Sequence, residues 1–302
     1  MPNTRLSEQR IVDPVLTELA LGYSNLAYVA DKLFPEIEVQ KEGFKVPKFS
    51  KESFAIRNTI RNINADSNRI NTDTPETVDI VLDEHDLEAP YDYREENDAN
   101  YELEKRNTFI VTEGVMLKVE KQAADMALDA ANYAADNKIT ISGADAFSDP
   151  NSDPIAEIEQ GKETIRRKTG RRPNVMVIGA ALYAELKEHP QLLEKIKYTE
   201  KGIVTALHMQ EIFGIETVVI GEAVYTESGV TKDVWGKHIV LAYSSKLGSM
   251  YEPTYGYTFK RKGMPQVDTY VELGGKRKIV RYTSIKKAAL MGMDAGYLIS
   301  EA

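Results

Sequence analysis

The stretch LEKRNTFIVTEGVMLKVEKQAADMALDAANYAA, residues 103–135, decides the fold. It contains no proline and one glycine, Gly114, and Leu103, Ile110, Leu117, Ala124 and Ala131 recur every seven residues. Its second half carries Ala123, Ala124, Ala127, Ala130, Ala131, Ala134 and Ala135, a composition that favours helix and permits close packing. Residues 100–137 therefore read as one long helix. At 1.5 Å per residue it would reach about 50 Å, whereas a globular helix averages about 11–12 residues. A helix of this length is a coiled coil or a spine for other elements.

Upstream, residues 43–93 hold two alternating segments. Phe44, Val46 and Phe49 form one, and Val78, Ile80 and Leu82 the other, so two strands are expected. Between them, Ser50 to Pro75 is rich in Asn, Asp, Ser, Thr and Arg. Phe54, Ile56, Ile60 and Ile63 are too few for a core of their own. Long polar excursions in compact domains are functional or disordered, and two bracketing strands make this one a projecting hairpin that needs a partner surface. Residues 1–42 look like an arm: Val15, Leu16, Leu19 and Ala20 fit one helical face, but Gly22 and Pro35 interrupt it.

Downstream, residues 150–245 alternate short strands and helices, a compact α/β unit. Asp153 and Pro154 start a helix that ends near Gly170. Val175–Ile178, Thr217–Ile220 and Ile239–Ala242 read as buried strands. Ala180–Glu188 and Gln191–Ile196 read as short helices split by Pro190, and Thr205 caps another that Gly214 closes. Residues 250–302 return to strands: Val267, Thr269, Val271 and Leu273 alternate with polar residues, Gly274-Gly275 permits a tight hairpin, and Ile279–Leu290 supplies the return. The class is α+β.

Composition excludes much chemistry. The 302 residues include no cysteine, so disulfides, Cys-ligated metals and thiol catalysis are out. Lys and Arg number 38 against 47 Asp and Glu, a formal charge of −9, which argues against general binding to nucleic acid or an anionic membrane. The longest apolar stretch, Val175–Leu182, is far short of the roughly 20 residues of a membrane span, and residues 1–13 lack the apolar region of a secretory signal. The chain is expected to start in a cytoplasm. His85, His189, His208 and His238 show no metal-binding spacing. HExxH, GxSxG, Walker A and GxGxxG patterns are missing. No catalytic residue, cofactor or metal is expected.

Charge is segregated instead. From Glu76 to Glu104 there are 12 acids against one base, Arg94, and from Lys260 to Lys287 nine bases against Asp268 and Glu272. The hairpin carries Lys48, Lys51, Arg57, Arg61 and Arg69. Complementary runs can register copies of a chain against one another, or simply pair within one chain.

This order of arm, hairpin, spine helix, inserted α/β unit and returning sheet resembles the major capsid protein of tailed double-stranded DNA bacteriophages, the Hong Kong 97-type fold. The resemblance rests on Leu16-Thr17-Glu18-Leu19-Ala20-Leu21-Gly22-Tyr23, on Tyr28-Val29-Ala30-Asp31-Lys32-Leu33-Phe34-Pro35, and on Glu84-His85-Asp86-Leu87. Further on it includes His189-Pro190, Tyr198-Thr199-Glu200-Lys201-Gly202, Trp235-Gly236-Lys237 through Ala242, and Arg281 through Ala289. Each motif is loose; the ordered set is specific and covers nearly the whole chain.

The resemblance implies an N-arm over residues 1–42, an extended loop over 43–93, a peripheral domain with the spine helix over 94–149 and 246–302, and an axial domain over 150–245. It implies copies gathered as pentamers and hexamers of an icosahedral shell around double-stranded DNA. Partners would be a portal and, where present, separate scaffolding and decoration proteins, with no membrane. The loop would lie across a neighbour, with Lys48, Lys51, Arg57, Arg61 and Arg69 facing Glu84, Asp86, Asp92, Glu95 and Glu96 of another copy. The arm begins almost at Met1, so any scaffold is expected to be separate or absent, and autocatalytic Lys–Asn crosslinking is not expected. The alternative with the same fold is an encapsulin-like nanocompartment shell. An α/β enzyme built on 150–245 is disfavoured by the missing motifs.

Overall fold

The computed structural model describes residues 16–17, 28–49, 54–64, 66–70, 76–98, 102–197, 204–246, 248 and 252–301. Lys51, most of the arm and residues 198–202 lie outside the described residues.

The long helix, α3 (Leu103–Leu128), follows the short α1 (Ala30–Leu33) and α2 (Tyr93–Asp98), has 26 residues and stops short of its expected end. The residues that stop it are ones the heptad pattern places inside it. The Asp129 backbone is extended (φ −72°, ψ 110°), and its carboxylate accepts from Ala131 N at 2.9 Å. Asn132 Nδ2 donates to Met126 O at 2.9 Å, and the Tyr133 hydroxyl donates to Ala127 O at 2.6 Å. Carbonyls that a helix end leaves orphaned are thereby satisfied, and residues 130–132 and 135–137 form separate 3₁₀ turns. The buried face also departs from the heptad. Val111, Val115, Ala123, Ala124 and Ala127 are buried, whereas Ile110 is 50% exposed and Ala131 is exposed. The face is chosen by the sheet behind the helix, which the heptad cannot see.

That sheet is organised by β13 (Arg277–Leu290). Along one side runs β4 (Asp83–Asp92), antiparallel, with Arg281 opposite Glu88 and Ile285 opposite Glu84. Along the other lie β11 (Gly256–Arg261) and β12 (Gln266–Val271), both antiparallel. β1 (Glu36–Val39) adds to β11 in parallel. Leu103, Val111 and Val115 of α3 pack against Tyr91, Val267, Val280 and Tyr282. The turn before β13 uses Gly274 (φ 116°) and Gly275 (φ 72°), as expected. The loop stem is also as expected: β2 (Gly43–Pro47) pairs antiparallel with β3 (Thr77–Val81), with Phe44 opposite Ile80.

The second sheet has the order β5-β14-β10-β6-β7, formed by β5 (Lys138–Ile141), β14 (Gly296–Glu301), β10 (His238–Ala242), β6 (Val175–Gly179) and β7 (Thr217–Gly221). Two of these strands come from outside residues 150–245. β5 and β14 fall in the stretches 94–149 and 246–302, yet they pair with the strands of 150–245: Leu298 lies opposite Lys138 and Tyr297 opposite Leu241. Short apolar strands carry no mark of partners this distant in the chain.

Four helices cover one face of this sheet. In α4 (Pro154–Thr169) the Asp153 carboxylate accepts from Ala156 N, and Gly170 ends the helix with φ 70°. α5 (Ala180–Glu188) and α6 (Pro190–Ile196) are split at Pro190. α7 (Ala206–Phe213) starts in a capping box of Thr205 and His208 and ends at Gly214. The opposite face packs on the alanine-rich end of α3 together with Leu33, Phe34 and Trp235. A hairpin of β8 (Val224–Glu227) and β9 (Val230–Asp233), turning at Ser228 and Gly229, had no counterpart in the sequence reading.

Candidate assembly surfaces

The loop is anchored at its base, and the apolar residues described beyond it are exposed. Ile80, Leu82, Phe44, Val46 and Val78 pack on Tyr257, Phe259 and Ile285 of the first sheet, and the Phe44 and Phe259 rings meet edge-on at 5.2 Å. On its outer side Lys45 pairs with Asp79 at 3.2 Å and Lys48 with Glu76 at 3.7 Å. Such exposed pairs are worth little, but they occupy Lys48 within its own hairpin.

Past the stem, Phe54, Ile56, Ile60, Ile63 and Ile70 are exposed, Ile56 and Ile63 almost completely at 103% and 93%. Phe54 touches the Phe49 ring at 5.7 Å. Arg57, Arg61 and Arg69 stand among them, also exposed. An apolar set of this size left in water marks an interaction surface.

The acidic and basic runs meet within one chain, because β4 lies alongside β13. Asp83 pairs with Lys287 at 3.1 Å, and Lys278 reaches Glu104 at 3.3 Å and Glu96 at 3.9 Å. Glu88 accepts from the Tyr270 hydroxyl at 2.7 Å. Asp92 accepts from Arg94 N at 3.0 Å, and Glu95 accepts from Asp92 N at 3.3 Å, holding the start of α2 (Tyr93–Asp98). Glu84 and Asp86 remain exposed on the strand. Glu95 and Glu96 are exposed as well.

Two charged sites escape the sequence reading. Glu120 of α3 is buried and accepts from Val29 N at 3.0 Å, Ala30 N at 3.1 Å and Trp235 Nε1 at 2.8 Å. Burial pushes its carboxyl above the usual range, and the three donors oppose that rise. Glu36 sits between Lys260 at 2.7 Å and Lys286 at 3.7 Å. Burial alone would raise its carboxyl, but the two ammonium groups hold it below the ordinary value. The same burial pushes the Lys286 amine down, with Glu36 acting against it. For Glu120 the hint in the sequence was an acid one turn before Ala123 and Ala124.

Among the described residues no group of three or more His, Asp or Glu side chains could hold a metal, and no helix is long and apolar enough to cross a membrane.

A spine helix on a twisted sheet, a hairpin reaching off it and an α/β unit at the far end define a shell-building subunit with the Hong Kong 97-type fold. The chain belongs to the family described as Phage major capsid protein E, whose model matches residues 91–271. It is 50% identical over 302 residues to the major capsid protein of Burkholderia phage BcepMu, covering 98% of each chain. A crystallised phage-related protein from Bordetella bronchiseptica RB50 superposes with a TM-score of 0.80 at 32% identity, over 96% of this chain and 97% of that one. The mature capsid subunit of bacteriophage PhiM1 shares the fold, with a TM-score of 0.61 at 12% identity over 93% and 89% of the two chains. The protein is thus a phage major capsid protein, a component of the virion that assembles in many copies. The encapsulin alternative is the weaker reading, because the family model and the 50% identical relative are both phage capsid proteins.

Proposed function

We propose that these copies form pentamers and hexamers of a closed icosahedral head around double-stranded DNA, assembled in the bacterial host's cytoplasm with a portal and, where present, separate scaffolding and decoration proteins. The role is structural, with no reaction assigned to any residue. In this reading residues 1–42 are the N-arm, 43–93 the extended loop, 94–149 and 246–302 the peripheral part, and 150–245, joined by strands β5 and β14, the axial part. The loop lies across a neighbouring subunit, where Lys48, Lys51, Arg57, Arg61 and Arg69 meet Glu84, Asp86, Asp92, Glu95 and Glu96.

The observation that carries this reading is the exposed loop: four isoleucines in water and a half-exposed phenylalanine, interleaved with arginines. Burying them on a neighbour would recover about 25 cal/mol for each Å² of apolar surface, and the arginines would set the register. The acidic balance limits adhesion of the shell's lining to packaged DNA. Electron microscopy of the purified recombinant chain, alone and coexpressed with neighbouring phage genes, tests it. Closed shells, or sheets and tubes of hexamers, are expected. Monomers or dimers under every condition, coexpression included, would overturn the assembly reading.

A further inference from the structure

The N-terminal arm meets the body of the subunit at a buried carboxylate. Glu120 receives the backbone N–H groups of Val29 and Ala30 on one side and the indole N–H of Trp235 on the other. Two turns earlier on the same helix face, Glu113 accepts from the Tyr28 hydroxyl. Trp235 is buried, leads into β10, and packs so tightly on β7 that a Cβ at Gly221 would fall 2.3 Å from its ring. It is also the only tryptophan in the chain.

We propose that Glu113 and Glu120 form a latch that seats arm residues 28–30 on the long helix and ties their position to Trp235, so that arm movement is felt in the second sheet. While the arm is seated, the Glu120 carboxylate is buried and accepts three N–H bonds. Lifting residues 28–30 removes two donors and admits water. An ionised carboxylate gains by turning to that water. The Trp235 N–H is then left buried without a partner, at a cost comparable to a lost hydrogen bond. The arm and the indole therefore stabilise each other through one shared acceptor, and such coupling acts equally in both directions. Its use rests on the reading of the protein as a shell subunit, in which neighbours pull on the arm; the latch itself does not depend on that reading.

The test is hydrogen exchange in the full-length chain, before assembly. Exchange is read at the arm peptide holding Val29 and Ala30 by mass spectrometry, and at the single indole N–H by NMR with labelled tryptophan. Tyr28→Phe removes the hydroxyl bonded to Glu113 and leaves the Glu120 and Trp235 side chains unaltered. The expected result is about tenfold faster exchange at both places, with circular dichroism unchanged. Glu120→Gln should raise both rates as well and shift the tryptophan emission to the red. Faster arm exchange with an unchanged indole in Tyr28→Phe would overturn the coupling. No change at either place would overturn the latch. Either result would leave shell assembly, scored separately by microscopy, untouched.

Discussion

Leu87 on the acidic strand lies directly over Gly114 of the long helix, where a Cβ would stand 2.8 Å from Leu87 Cδ2. The contact seats β4 on α3 at the helix's one glycine. Glycine costs a helix interior about 1 kcal/mol relative to alanine. The obstructing atom is the end of a flexible side chain that is itself 41% exposed, so it can swing aside. Gly114→Ala is expected to leave stability unchanged or raise it by up to about 1 kcal/mol. Gly114→Val adds two further atoms that must displace the strand, and a β-branched residue in a helix; it is expected to cost about 1–3 kcal/mol. Denaturant unfolding of unassembled subunits measures both.

The loop arginines give the second expectation. Arg57→Glu, Arg61→Glu and Arg69→Glu together reverse the sign of an exposed surface that holds no part of the core, so the subunit should fold as before. In the proposed docking its shells should fail to form or form aberrantly, because like charges would then face the neighbour's Glu84 and Asp86. Adding Glu84→Lys and Asp86→Lys should restore part of the assembly. Normal shells from the triple variant, seen by microscopy, would remove these arginines from the interface.

How far the sequence could be read follows the range of the interactions. The caps at Asp153, Thr205 and Gly214 and the turn at Gly274-Gly275 are set within a few residues, and the structure has them where the sequence puts them. The end of α3 was missed because alanines say nothing about stopping; Asp129, Asn132 and Tyr133 stop it by reaching back to its last turn. The places of β5 and β14 depend on partners far away, as with Tyr297 opposite Leu241. The bare loop was legible because too few apolar residues for a core is a local fact. The Glu120 junction was not, because its partners Val29 and Trp235 are 91 and 115 positions away.

Glu36 gives the third expectation. It is the anion between Lys260 and Lys286, and breaking a buried ion cluster costs more than replacing it. Glu36→Gln leaves two ammonium groups facing each other and is expected to cost about 2 kcal/mol, less than the 3–5 kcal/mol of a fully buried pair because Glu36 is partly exposed. Lys286→Met keeps the Glu36–Lys260 pair and should be tolerated. Since the Glu36 carboxyl is held low, its contribution is present above the usual value of 4.5 and is lost as pH falls through the folded value. The gap in melting temperature between wild type and Glu36→Gln should therefore close on acidification.

The opposite pH dependence is expected where β14 ends. Glu301 is 2% exposed in its side chain, and Lys237 serves it at 3.8 Å and Glu185 at 2.7 Å. The Oε2 atoms of Glu185 and Glu301 are both buried without a hydrogen-bond partner among the described residues. Burial, followed by the neighbouring Glu185, pushes the Glu301 carboxyl above its usual value of 4.5. The folded chain thus holds a proton more tightly than the unfolded chain. That contribution is complete below the unfolded value and is lost as pH rises through the folded one. Glu301→Gln keeps the shape, supplies a permanent donor toward Glu185 and leaves Lys237 its nearer partner. It is expected to stabilise the subunit by about 1 kcal/mol at pH 7 and to give no advantage at pH 4. Thermal unfolding at the two pH values decides the matter. An equal or lower melting temperature for the variant at pH 7 would mean that Lys237 already satisfies both carboxylates.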